Sequence, residues 1–172
     1  MADRLVLVNG LPGSGKSTLA AGLVDELGAQ LVAKDTIKEA LAGAVAGAPS
    51  AVLGAAAMEA AWVLAAGMPG TVILDAWLYR PRDLPFVEGG LILCGKPPVV
   101  EVWCDVAVET AMQRYAARER HPIHEDGARA SSYATWTAGA EPLGLAPTLH
   151  VRTEGPVDIE RVAREVRRAL AG

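Results

Sequence analysis

The residues Gly10-Leu11-Pro12-Gly13-Ser14-Gly15-Lys16-Ser17, with Thr18 directly behind, have the types and spacing of an anion cradle. Its glycines let successive backbone N–H groups turn toward an anion with no Cβ in the way, at the positive end of a following helix. Lys16 suits the outer phosphates of a nucleotide, and the Ser17 hydroxyl suits Mg²⁺. The cradle residues Gly10, Pro12, Gly13, Ser14, Gly15, Lys16, Ser17 and Thr18 are therefore the expected nucleotide contacts, with ATP and Mg²⁺ as the expected cofactors.

Three further groups could complete phosphate chemistry. Asp75 closes the apolar run Thr71-Val72-Ile73-Leu74 and, opposite Ser17, could hold Mg²⁺ through a water. Asp35 stands where a second apolar run gives way to a helical pattern, so it either faces the ligand crevice of an open sheet or caps the helix. The segment Arg114-Tyr115-Ala116-Ala117-Arg118-Glu119-Arg120-His121-Pro122 holds the concentrated positive charge of the chain. Arg114 and Arg118 are four apart and are expected on one helical face, and Pro122 forces the chain out of the helix. These arginines either contact phosphate, for which the planar fork is suited, or sit at the negative pole of a helix dipole. Asp105 reads as a helix N-cap. His121 and His124 lack a third ligand nearby and read as structural. Trp77, Tyr79 and Arg80 either grip a substrate or pack under the next helix.

Positioning such groups requires a sheet. Strand-like runs recur at 5–8, 30–33, 71–74, 99–103 and 148–151, separated by helical patterns. That alternation predicts an α/β fold, a parallel sheet with helices on both faces. The first helix is expected over Lys16 to Leu27, stopping at Gly28. Two helices are expected within 36–67, the second burying Leu53, Ala57, Ala60 and Leu64, with Trp62 in the core. The helix after Asp105 should turn Ala107, Ala111, Met112 and Tyr115 inward, and the last helix Ile159, Val162, Ala163, Val166 and Leu170. Residues 125–147 carry no clear pattern.

A chain of 172 residues, 51% apolar, suits one domain spanning 1–172. Its net charge of −4 disfavours a nucleic-acid partner and points to a small molecule. The uncharged run at 40–58 is mostly Ala and Gly and contains Pro49, so it reads as packed helices and not as a membrane span. Cys94 and Cys104 are not spaced as C-x-x-C and read as reduced core thiols. With Met1 to Arg4 leading straight into the first strand, a cytoplasmic protein is expected, monomer or homodimer.

Through Gly10 to Thr18, Lys34-Asp35 to Leu41, Val72 to Asp75, Arg114 to Pro122 and Thr153 to Val157, the chain resembles the small P-loop kinases of the nucleoside-monophosphate-kinase-like group. It is especially similar to the AAA-type kinases that group with chloramphenicol phosphotransferase, zeta toxin and the kinase domain of polynucleotide kinase. The resemblance implies a three-layer P-loop NTPase sandwich, its five-stranded parallel sheet ordered 2-3-1-4-5, with an Arg-containing lid at about 115–135 and acceptor-binding helices at about 36–68. It also implies transfer of the ATP γ-phosphate to a small hydroxylated acceptor. Lys16, Asp35, Arg118 and Arg120 would be catalytic, Asp35 orienting or deprotonating the acceptor hydroxyl. Arg114 would contact nucleotide, and the loop Arg152 to Val157 would lie against adenine. No signature for reading a nucleobase acceptor is present. A nucleotide-dependent switch without an acceptor, a polynucleotide 5′-hydroxyl kinase and a nucleotide-sugar kinase of toxin type are the alternatives, and N-K-x-D, the usual guanine signature, does not occur.

Overall fold

In a computed structural model, described over residues 1–119, 121–124 and 132–172, five strands form one parallel sheet. The strands are β1 (Arg4–Asn9), β2 (Gln30–Ala33), β3 (Thr71–Asp75), β4 (Val99–Asp105) and β5 (Thr148–Arg152), in the order β2-β3-β1-β4-β5. The helices are α1 (Lys16–Leu27), α2 (Lys34–Ala44), α3 (Ser50–Gly67), α4 (Arg80–Leu93), α5 (Val108–Ala117), α6 (Tyr133–Ala138) and α7 (Ile159–Ala171), with a 3₁₀ turn at Pro122–His124.

Strand β1 is apolar on both faces, as the central strand of a parallel sheet must be. Leu5 and Leu7 point into a core with Val32, Val72 and Leu74 beneath Ala61, Trp62 and Ala65 of α3 and Val87 of α4. Val6 and Val8 point the other way, with Ile73, Val100 and Val102, onto Leu19, Ala20 and Leu23 of α1 and Val162, Ala163 and Val166 of α7. At roughly 1.5–3 kcal/mol per fully buried large aliphatic side chain, these two layers hold the strands in register. All five strand ends therefore carry their loops to one edge.

Several local expectations are corrected. The α3 stripe is Leu53, Ala57, Ala61 and Ala65, a strict fourfold spacing, while Leu64 is exposed. Only Ala111 and Tyr115 of α5 are buried; Met112 faces outward and Ala107 occupies the N-cap. Asp105 is not a cap but ends β4, its Oδ2 at 2.8 Å from His150 Nδ1. Helix α4 forms despite Pro81 and Pro85: the first stands in the opening turn, where no N–H is needed, and the second is followed by nine more residues, to Cys94 at the C-cap. Helix α3 is long and apolar enough to cross a membrane by length and composition, yet here it packs on α2, α4 and the sheet.

Candidate active site

Four strand ends meet around one ammonium group. β1 runs through Asn9 into the phosphate loop, whose Gly15 stands at the N-cap of α1 with a left-handed backbone, φ 91°. Gly13 is also left-handed, at φ 86°, and a Cβ there would run into the carbonyl oxygen of Ala111 on α5. The loop is thus clamped between α1 and α5, and Gly13 is required by contact as well as by conformation.

Lys16 Nζ donates to Leu11 O across the loop at 2.9 Å and stands 6.0 Å from the centre of the Trp77 ring. Desolvation pushes its pKa below the ordinary value; the carboxylates of Asp75 and Asp35 act in the opposite direction, and the Arg118 guanidinium adds to the lowering. Asp35, Asp75 and Arg118 therefore all stand within electrostatic reach of Lys16. Asp75 is 7% exposed at the end of β3. Ser17 and Thr18 are exposed on the first turn of α1.

Asp35 does not cap its helix. Ala33 holds the N-cap position and Asp35 sits inside the first turn, where its charge favours the positive helix end and its carboxylate lies 3.5 Å from Lys34 Nζ. It is about half exposed, 53%, and so open to a ligand in the crevice.

The arginines part company. Helix α5 ends at Ala117, so Arg118 is an extended C-cap residue and does not share a helical face with Arg114. Arg118 lays its guanidinium 4.7 Å from the centre of the Tyr115 ring, toward Lys16. Arg114 instead donates to Thr153 O at 2.9 Å and Glu154 O at 2.8 Å, tying α5 to the loop after β5. Arg120 and residues 125–131 of the lid expected at 115–135 lie outside the described residues.

Tyr133 of α6 donates its hydroxyl to Pro12 O at 2.8 Å, and desolvation pushes its pKa up to about 12. With Tyr115 and Trp136 it forms an aromatic block over the loop.

Beneath the site lies a polar network that sequence reasoning missed. Asn9 Oδ1 accepts from Gly10 N at 2.8 Å and Leu78 N at 3.0 Å, while its Nδ2 donates to Leu78 O and to Glu101 Oε1. Glu101 Oε2 accepts from Leu143 N at 2.8 Å. Burial pushes the Glu101 pKa upward against the bonds from Asn9 and Leu143. The signal was available: Glu101 is a charged residue inside an apolar strand, and a buried charge needs partners. A second missed cluster ties α2 to the turn after α5. Lys38 Nζ, fully buried, donates to Ser50 Oγ at 2.8 Å and Ile123 O at 3.1 Å, and His124 Nε2 lies 2.7 Å from Glu39. Among the described residues, neither His121 nor His124 belongs to a cluster of three or more His, Cys, Asp or Glu.

A cavity of about 550 Å³ opens between α2, α3 and α4. Lys34 and Trp77 belong to its wall, which places that part of the wall beside Asp35 and Lys16.

The sequence model of the family described as an AAA domain matches residues 5–143. The chain belongs to that family. An uncharacterized protein of Mycobacterium tuberculosis strain H37Rv is 32% identical over 130 residues, covering 67% of this chain and 26% of the relative. The chain thus spans about a quarter of the length of the curated relatives it matches. Among solved structures, a candidate kinase from Chloroflexus aurantiacus superposes with a TM-score of 0.78 at 23% identity, covering 96% of this chain and 97% of that one. Kti12 of Chaetomium thermophilum, solved with ADP-AlF3, gives 0.70 at 21% identity over 98% and 100% of the two chains. A gluconokinase from Sinorhizobium meliloti gives 0.63 at 19% over 98% and 91%. These likenesses establish the fold, that of P-loop kinases.

Proposed function

We propose that the protein is an ATP-dependent phosphotransferase that moves the γ-phosphate to a hydroxyl of a small molecule, a metabolite or an antibiotic. The observation that carries this reading is that Asp35, Asp75 and Arg118 all stand within electrostatic reach of Lys16, with a ligand-sized cavity whose wall includes Trp77 and Lys34 beside them. A nucleotide switch needs the loop but has no use for that cavity.

The loop amides and Lys16 hold the phosphates, and the oxygen atoms of Ser17 and Asp75 suit Mg²⁺. Hard oxygen donors fit that ion, and the small number of protein ligands fits its habit of keeping waters and phosphate oxygens. When bound, the ion neutralises charge on the phosphates. Asp35 aligns the acceptor hydroxyl and accepts its proton. The hydroxyl oxygen forms a bond to the γ-phosphorus as the bond to the bridging oxygen breaks, and ADP leaves with that electron pair. Arg118, fixed on Tyr115, faces the charge that develops on the transferring group. Arg114 holds the loop expected against adenine. A cytoplasmic setting accords with Cys94 and Cys104 both free and buried.

The test is ADP release with MgATP against a panel of hydroxylated compounds. Lys16→Ala should abolish acceptor-dependent release with the fold intact. Asp35→Asn should lower turnover by about 10²-fold or more, the usual weight of a general base, while ATP binding persists. Turnover of Asp35→Asn within a few fold of wild type would remove Asp35 from the chemistry.

A further inference from the structure

The cavity beside the site has a one-sided chemistry. Its wall includes Ala55, Met58, Val63, Leu78, Phe86 and Leu93; four of its charged groups are engaged with neighbouring residues, and the fifth, Glu59, is exposed. Arg82 lays both arms on Asp83, at 2.6 and 2.7 Å, and Asp83 also accepts from Tyr79 N at 2.7 Å. Lys38 is committed to Ser50 and Ile123, and Lys34 lies against Asp35. Beyond Glu59 and the indole N–H groups of Trp62 and Trp77, a sugar or sugar acid entering this space would leave hydroxyls and a carboxylate facing methyl and aromatic groups, and polar groups buried without partners are costly.

The same wall accounts for apolar side chains that the fold leaves in water. Val63 is 61% exposed, Phe86 66% and Leu93 49%, and all three border this cavity. Single exposed hydrophobic residues need no explanation, whereas three converging on one opening mark a binding surface. Gly54 and Gly89 widen the space, for a Cβ added at either meets nothing within 4 Å.

We infer that the acceptor is a hydrophobic alcohol: a hydroxyl on an apolar, drug-sized body that fills the cavity between α3 and α4 while the hydroxyl reaches past Trp77 to Asp35. This rests on the kinase reading for the fate of the hydroxyl. The ligand class itself rests on the cavity alone.

The experiment uses menthol, borneol and cyclohexylbutanol against glucose and gluconate, with two readouts. Quenching or shift of tryptophan emission reports occupancy, since Trp62 and Trp77 both belong to the wall. ADP release with MgATP reports transfer. The apolar alcohols should give saturable emission changes and raise ADP release, while glucose and gluconate do neither. Gly54→Leu, which fills open space, should weaken the alcohols by about tenfold or more and leave the thermal shift with ATP unchanged. Saturable turnover of glucose or gluconate, in place of the alcohols, overturns the ligand class and leaves the kinase standing. Alcohol binding that Gly54→Leu abolishes, with no ADP release, supports the class and overturns the kinase. No emission change with any alcohol, or binding untouched by Gly54→Leu, overturns the inference outright.

Discussion

The buried carboxylate of Glu101 decides how rigidly the phosphate loop begins. One oxygen accepts a hydrogen bond from Asn9 Nδ2 and the other from Leu143 N, while Asn9 fixes Gly10 and both polar groups of Leu78. Replacing Glu101 by Gln offers a single acceptor to two donors. One N–H is then left facing another, at a cost of about 1–3 kcal/mol in urea denaturation. The pH dependence has a definite sign. The folded-state pKa lies above the ordinary 4.5, so the contribution of Glu101 is fully present below that value and is lost as pH rises through the raised one. The penalty of Glu101→Gln should accordingly be largest in acid and shrink toward neutral pH. A penalty that grows with pH would show that Glu101 is held ionised. This residue also marks what was legible in the sequence. The convergence of Lys16, Asp35 and Asp75 could be read from strand-end positions, because a parallel sheet brings those ends together whatever the side chains do. Which oxygen bonds which amide depends on packing between residues 92 apart in sequence.

At the scale of elements, helices were legible where their ends carry local chemistry. Helix α1 begins and ends where Lys16 and Gly28 require, and Gly28 adopts φ 57° to close it, with Ala29 N bonded to Val24 O. Helix α4 was expected after Arg80 but without bounds, because two prolines and two glycines argue against it locally, and it is held by packing, with Gly90 pressed against the Trp62 ring. The inward stripe of α3 was misjudged because Ala and Leu both satisfy a helical pattern, and only the narrow gap to the sheet selects the smaller residue at 61 and 65. Two of the left-handed glycines of the first βα unit, Gly28 and Gly13, separate conformation from contact. Gly28→Ala meets open space and should cost only the left-handed penalty, roughly 1–2 kcal/mol, with nucleotide binding retained. Gly13→Ala adds a collision with the α5 backbone, so it must shift either the loop or α5. It should abolish the thermal shift with ATP as well as lowering the melting temperature. Equal behaviour of the two variants would mean that α5 yields freely and does not clamp the loop.

Across the whole molecule, the site is assembled at the expense of the empty protein's stability. Lys16 sits where desolvation disfavours its charge, and Asp75 and Asp35 only partly offset this. Phosphate oxygens would supply the missing counter-charge, so binding and stability are linked through this one side chain. Lys16→Met keeps most of the apolar stem and removes the charge. Without nucleotide it should therefore melt at or above the wild-type temperature, the usual exchange of stability for function at an active site. Its pH profile should differ as well. Because the folded-state pKa is lowered from 10.5, the unfolded chain binds more protons in the window between the two values. Wild-type stability thus gains from Lys16 as pH rises through that window, and the Met variant should lack the gain. With MgATP at about a hundred times its dissociation constant, wild type should gain about 2.7 kcal/mol, a rise of roughly 5–11 °C for a domain of this size, and the variant almost none. A variant less stable than wild type without nucleotide, yet still shifted by ATP, would place Lys16 in the scaffold and move phosphate recognition to the backbone of the loop alone.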